Sequence, residues 1–211
     1  MRRVATIVLL LASATPLLAQ RRVDLIVDAE GVRRTGRNTE FTPGQTRFEP
    51  AFGTGDGAGL GMDWFLSDRV SLELKAAALA STLRVRTIGS DFILVADLGR
   101  AQIYPVTALL KWHMNEHGAL RPYVGIGAGH IILRNVEKQT VRFTGITFKD
   151  PTGVVLDGGL LLNLSRRWAL SGDLRYVPIE TSSRATFGGT SSSVELNVRP
   201  LIAAFGIAFH F

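Results

Sequence analysis

The chain has 211 residues, 24 Lys+Arg against 18 Asp+Glu, 46% hydrophobic residues and no cysteine. The apolar share and a positive mean hydropathy (+0.19) exclude a disordered chain. An exported protein of this kind would draw nothing from disulfides, and the mild basic excess, spread along the chain, argues against nucleic-acid binding.

Met1-Arg-Arg3 followed by a short apolar run and Thr15-Pro-Leu-Leu-Ala19 reads as a secretory signal, removed after about Ala19 or Gln20. Its loss lowers the formal charge from +6 to +4, because it holds Arg2 and Arg3 and no acid. Nothing downstream offers the ~20 consecutive apolar residues of a spanning helix. Residues 1–20 are thus expected to be a signal peptide and 21–211 one domain.

The mature chain alternates with period two. Val23, Leu25, Val27 and Ala29 alternate with Asp24, Ile26, Asp28 and Glu30. Residues about 35–50 read as a long polar loop. A second strand, about 51–66, sets Ala58, Leu60, Met62, Trp64 and Leu66 against Gly57, Gly59, Gly61 and Asp63. Ser67-Asp-Arg69 turns. The third strand, about 70–85, sets Val70, Leu72, Leu74, Ala76 and Ala78 against Ser71, Glu73 and Lys75. A connection of about 86–101 contains Phe92-Ile-Leu-Val95, expected either to dip into a barrel mouth or to form a short helix.

The fourth strand, about 102–114, sets Tyr104, Val106, Ala108, Leu110 and Trp112 against Thr107, Lys111 and His113. The fifth, about 121–133, sets Val124, Ile126 and Ala128 against Gly125, Gly127 and Gly129. Small inward residues leave room for large ones from across a barrel. A charged loop of about 134–151 follows. The sixth strand, about 153–165, sets Val154, Leu156, Leu160, Leu162 and Leu164 against Asp157 and Asn163. The seventh, about 168–179, sets Trp168, Leu170, Leu174 and Tyr176 against Ser171, Asp173 and Arg175. Residues about 180–193 read as a Ser/Thr/Gly-rich loop. The last strand puts Leu201, Ala203, Phe205, Ile207, Phe209 and Phe211 on one wholly apolar face.

Eight strands, with short turns alternating with long loops, predict an eight-stranded antiparallel transmembrane β-barrel in the bacterial outer membrane. Short turns and both termini then lie on the periplasmic side and long loops outside. A soluble β-sandwich or lipocalin-like barrel would also alternate. Alternation alone does not say which face is inward; the signal segment, the aromatic placement and the terminal Phe211 decide for the membrane form, and two cross-checks agree with it. The acids and lysines of each strand's central part share the inward parity, as expected where a Lys or Arg facing the bilayer midplane costs about 2–4 kcal/mol. The same phase sends Trp64, Trp112 and Trp168 outward beside short turns, and Tyr104 and Tyr176 outward near the opposite ends, as an aromatic girdle.

Trp168-Ala-Leu-Ser-Gly-Asp-Leu-Arg-Tyr-Val-Pro-Ile-Glu-Thr181 resembles the penultimate strand of the OmpW family of small outer-membrane barrels. Arg121-Pro-Tyr-Val-Gly-Ile-Gly-Ala-Gly129 is similar to their Pro-Tyr-x-Gly-x-Gly strand. Tyr104-Pro-Val-Thr107 is similar to the start of their fourth strand, and Arg199-Pro200 through Phe211 to their closing strand. The resemblance runs over about 60–211 in matching order; the first strand and first loop carry no matching motif. It implies an eight-stranded barrel that helps small hydrophobic molecules cross the outer membrane, without cofactor. It also implies that Phe211 is read by the barrel assembly machinery.

Chain direction sorts the inward residues by height. Glu73, Lys75, Lys111, His113, Asp157, Asn163, Asp173 and Arg175 fall in the lower and middle lumen, and are expected to pair into a polar plug across a narrow bore. Leu79, Leu83, Ile103, Pro105, Ile131, Leu133, Val177, Ile179, Val198 and Pro200 fall above it, an apolar pathway for a greasy solute. With the base shut, exit would be lateral, through the wall near Pro105 and Pro200, which donate no ladder hydrogen bonds. These upper residues could equally just pack together.

Catalysis is not expected: His113, His117, His130 and His210 stand in no recognisable nucleophile–base order, and no metal-ligand spacing occurs. The rival role is a structural or surface-interaction barrel of the small OmpA/OmpX type with a filled lumen. In it the loop cations Arg134, Lys138, Arg142 and Lys149, beside Glu137, would meet the phosphates of lipopolysaccharide.

Overall fold

The computed structural model describes residues 22–35, 47–88, 93–115, 118–134, 143–148, 150–187 and 190–211. All regular elements among them are strands: β1 (Val23–Arg34), β2 (Arg47–Phe65), β3 (Val70–Ile88), β4 (Ile93–His113), β5 (Leu120–Arg134), β6 (Phe143–Phe148), β7 (Thr152–Asn163), β8 (Trp168–Tyr176), β9 (Ile179–Phe187), β10 (Thr190–Val198) and β11 (Pro200–His210). The segment expected to be a signal lies outside the described residues.

Eight strands close a barrel in the order β1-β11-β8-β7-β5-β4-β3-β2, and β10-β9-β6 form a separate three-stranded sheet. Closure pairs the first and last strands, from Asp24 with His210 to Arg34 with Pro200. It leaves the apolar terminal strand without a free edge, which is why the barrel form suits it.

The period-two pattern is realised face by face. On β1, Asp24, Ile26, Asp28 and Glu30 are buried in the lumen while Val27 is 54% exposed. On β11, Ile202, Ala204 and Ala208 are buried, and Phe205 (65%) and Ile207 (51%) face outward. A soluble barrel would reverse this: here the large exposed hydrophobics form the outer wall, as lipid requires.

Stretches expected to be loop turn out to contain strand, and β2 already begins at Arg47, within the expected loop of 35–50. The β3–β4 ladder continues through Thr87↔Leu94 and Ile88↔Ile93, so most of 86–101 is neither helix nor inward dip. Its β-branched residues extend a ladder already aligned by the barrel below. Phe92 lies outside the described residues. The loop of 134–151 contains β6, and 180–193 falls mostly within the β9–β10 hairpin. That hairpin keeps the register of the strands below it: Leu201↔Tyr176 is followed by Val198↔Ile179. Pro178 and Pro200 interrupt the two arms, and between them the Val177 N–H donates to the Pro200 carbonyl at 3.1 Å.

The β2–β3 register shifts between Phe52 and Gly55 and the β3–β4 register between Leu83 and Arg84, and pairing is interrupted at two further places. Opposite Pro105, β3–β4 pairing stops at Ala76↔Val106 and resumes in the same register at Leu79↔Ile103. Proline has no N–H to donate there. Second, β7–β8 pairing ends at Leu156↔Tyr176 although β7 runs on to Thr152. Above that point β9 pairs with β10 and β6 instead.

Candidate functional site: a layered lumen

The lumen is built in three layers, because each strand offers every second residue to it. In the middle, Glu73 and Lys75 come from β3, Lys111 from β4, Asp157 from β7, and Asp173 and Arg175 from β8. Asp28 and Glu30 of β1 and Asp63 of β2 join them. Lys111 Nζ lies 2.5 Å from Glu73 and 3.3 Å from Asp63. Arg175 reaches Glu73 at 2.8 Å, Asp157 at 3.5 Å and Asp173 at 3.7 Å. It also donates to the Thr107 hydroxyl at 3.3 Å. Lys75 Nζ binds Asp28 at 2.5 Å and Glu30 at 2.8 Å. All nine charged residues are under 9% exposed.

Glycine makes this layer possible. A Cβ at Gly59 would press on the side-chain ends of Asp28, Glu30 and Lys75, and one at Gly125 would lie 3.2 Å from Lys111 and 3.3 Å from Asp157. The inward glycines of β2 and β5 are the space that side chains of β1, β3, β4 and β7 fill.

Below lies a floor that parity had signalled but that the sequence reading passed over. Arg121 and Tyr123 share the inward parity of Gly125 and are 2% and 3% exposed. Arg121 donates to the carbonyls of Asp68 (3.0 Å) and Asn115 (3.3 Å), tying two turns together. Its guanidinium and that of Arg22 both lie against Phe65. Tyr123 takes Lys111 over its ring at 4.4 Å and packs with Ile26, Leu161, Ala169 and Ala208. Apolar contacts are therefore not confined to the upper lumen. Asn163 stands at this rim, its amide oxygen 3.2 Å from His210 Nε2, and His210 Nδ1 is 2.7 Å from Asp24.

His113, expected in the plug, is fully buried in this floor, with Nε2 3.0 Å from the Ser71 hydroxyl. Ser71 also donates to Asp63 at 3.3 Å, and His113 Nδ1 has no partner. The carboxylate thus sits on the serine and not behind the imidazole, unlike a nucleophile–base–orienter chain. His130 meets Thr152 across β5–β7 at 2.8 Å, exposed on the outer wall. Sequence separation of 42 and 22 residues hid both pairs. No group of three or more His, Asp or Glu placed to hold a metal occurs among the described residues.

Above the charges, aliphatic side chains take over. Leu109, Ile131, Leu133, Val155 and Val177 form one buried cluster; Val32, Leu79 and Ile202 form another. Ile103 packs against both and joins them across the bore. Pro105 and Pro200 are buried beside them. Leu83, Ile179 and Val198 lie on described strands, but their side chains lie outside the described residues. Leu109, Val155, Val32 and Ile202 complete the layer. All four have the inward parity of the layer they join. Outside, Trp112 (47%) and Trp168 (49%) are exposed and Trp64, Tyr104 and Tyr176 half-exposed. Phe211 is 73% exposed, and its ring lies edge-on against Phe209 at 4.8 Å.

The family model for the OmpW family matches residues 26–211. The chain belongs to the OmpW family. It is 23% identical to outer membrane protein W of Vibrio cholerae over 209 residues, covering 97% of this chain and 96% of that one. It is 28% identical over 120 residues to outer membrane protein AlkL of Ectopseudomonas oleovorans; that match takes in 56% of this chain and spans about half (51%) of the relative. Among solved structures, OprG from Pseudomonas aeruginosa superposes with a TM-score of 0.78 at 17% identity, covering 90% of this chain and 96% of that one. That likeness is one of fold. An OmpW-family barrel of this architecture resides in the outer membrane, its outward faces in the bilayer.

Proposed function

We propose that this barrel assists passage of small hydrophobic molecules across the outer membrane. A solute enters from outside, dwells among the aliphatic side chains of the upper lumen, and leaves sideways into the bilayer above the ionic layer. The observation that carries this reading is the end of β7–β8 pairing at Leu156↔Tyr176, with Val155 and Val177 of the upper cluster just beyond it. At that seam an apolar interior borders the lipid without a ladder between. Pro178 follows Val177 at its edge, and Pro200, one of the two prolines singled out from sequence, stands one strand away, its carbonyl accepting the Val177 N–H. The ionic layer shuts the direct route downwards, since opening it would strip buried charges of their partners. In the same reading Phe211 is the assembly signal, the tryptophans and tyrosines fix the barrel's depth, and residues 1–20 direct export.

Continuing the β7–β8 register by one residue sets Val155 opposite Val177. The test is a Val155→Cys/Val177→Cys pair in proteoliposomes loaded with an apolar dye. Oxidation should cut uptake to nearly that of empty liposomes, and reduction should restore it. Equal uptake in both redox states would rule out this exit.

A second reading, the structural or surface-interaction barrel, is favoured by one observation. Ile103 touches both upper clusters, so the apolar layer is bridged by side-chain packing. Under that reading wild-type uptake would not exceed the empty control.

A further inference from the structure

The outer wall carries a feature that solute passage does not use. The outward side chains of the eight barrel strands bear no lysine, arginine or acid from the tryptophans up to the level of Asp56. Above that level they turn basic. Each barrel residue rises roughly 2.5 Å along the axis, from about 3.3 Å per residue at about 40° tilt. Arg33 lies ten residues above Val23, the partner of Trp64. Arg134 lies ten above Val124, the partner of Trp112. Arg100 lies twelve above Trp112 on β4 itself. These steps place the three at roughly 25–30 Å above the tryptophans, the height of the apolar band of such a barrel (about 25 Å). Tyr104, eight residues above Trp112, stands just beneath them.

All three are exposed on the lipid-facing parity. Arg134 shares Asp150 at 3.4 Å, with 59% of its side chain exposed. Arg33 and Arg100 make no ion pair among the described residues. Arg199 stands at similar height on β11 but is engaged within the chain and is left aside. Asp56, whose register partner is Gly31, is the one outward acid among the described strand side chains, and makes no ion pair with Arg33.

We propose that Arg33, Arg100 and Arg134 form a belt that binds the phosphate groups of the phosphorylated glycolipid in the outer leaflet. The guanidinium fork suits phosphate, two N–H groups to two oxygens. The residues face the wall and not the lumen mouth, so the phosphate they meet belongs to a lipid and not to a free anion. The opposite end of the same wall carries tryptophans, so the belt distinguishes the two leaflets. The expectation that loop cations 138–149 make this contact falls on residues outside the described ones; of that set only Arg134 joins the belt. The proposal rests on outer-membrane residence and is independent of any solute.

The test titrates diphosphoryl lipid A into the refolded full chain in neutral detergent, reading retained lipid by native mass spectrometry. The R33Q/R100Q/R134Q variant should bind roughly 100-fold more weakly, about fivefold for each arginine. The triple Arg→Lys variant should fall between, keeping charge but losing the fork. R166Q/R167Q, in a periplasmic turn, should leave binding unchanged. Folding is checked by the shift between heated and unheated bands on a gel. If the triple variant does not fold, R100Q alone should still lose about fivefold. Binding within about twofold of wild type by the folded variants would overturn the proposal. So would equal affinity for phosphatidylglycerol or for lipid A stripped of phosphate.

Discussion

The middle and upper layers fill one bore, with β1, β3, β4 and β7 serving both, yet they differ in how they are held. The middle layer sets the carboxylates Asp28, Glu30, Asp63, Glu73, Asp157 and Asp173 against the bases Lys75, Lys111 and Arg175. Each base serves at least two acids, and Glu73 joins Lys111 to Arg175 across 102 residues of sequence. Removing one member takes a close contact from buried charges that water cannot readily replace. The upper layer is aliphatic, its contacts are non-directional, and it can yield by small shifts. One layer is brittle and closed, the other deformable and bordered by the unpaired β7–β8 seam. If hydrophobic solutes pass as proposed, the middle layer seals the barrel to ions while the upper one admits the solute.

The largest expected effect tests the brittle side. Glu73→Ala takes the shortest ion-pair contact from both Lys111 and Arg175 and should destabilise the barrel by about 3–5 kcal/mol. Urea unfolding in detergent, followed by tryptophan fluorescence, would measure it. Glu73→Gln, which keeps shape and some hydrogen bonding, should cost less. A cost below about 1 kcal/mol for the alanine variant would mean that water already shares these charges, and the contrast between layers would collapse.

A smaller effect tests the deformable side. Ile131→Val removes one methyl group from the upper cluster and should cost only about 0.5–1.5 kcal/mol. In the proteoliposome assay it should leave dye uptake near the wild-type level. If it costs as much as Glu73→Ala, the upper layer is as rigidly packed as the lower, and the structural reading gains.

What the sequence could show follows from where each signal lives. Inward or outward parity is local: Asp28, Glu73, Lys111, Asp157 and Arg175 each announce their face by their own neighbours. The eight barrel strands were legible for that reason. Partnership is not local, and nothing near Arg175 says that Glu73, four strands away on the opposite side of the barrel, will be its mate. The extended strands above the membrane were misread because they sit in water, where the apolar/polar alternation that marks a lipid-facing wall is no longer required. Residues 180–193 are polar on both faces and looked like loop; the ladder below carries them on. Arg121 and Tyr123 were missed for a different reason. They follow the parity rule, but standing just before the run Gly125, Gly127 and Gly129 they read as part of a motif and not as the floor.

The weakest expected effect lies at the upper edge, where the barrel meets water. Asp150 accepts the Leu133 N–H at 2.9 Å and pairs with Arg134 at 3.4 Å. The backbone hydrogen bond first, and the Arg134 guanidinium second, hold its carboxyl below the ordinary carboxylate range. A depressed value in the folded state means stabilisation that is present above the unfolded-state value and lost as pH falls through the folded one. Asp150 is exposed, so solvent screens this contribution and it is small. The direction is still testable: Asp150→Asn should leave stability at neutral pH almost unchanged and remove a small loss seen in wild type under acid conditions. Nuclear magnetic resonance titration of the Asp150 carboxyl should give a midpoint below that of an unfolded peptide. A midpoint at the peptide value would show that the β5 end is not clamped there. Arg134 would then be free of its acid, and the Arg134→Gln step in the lipid A titration should grow.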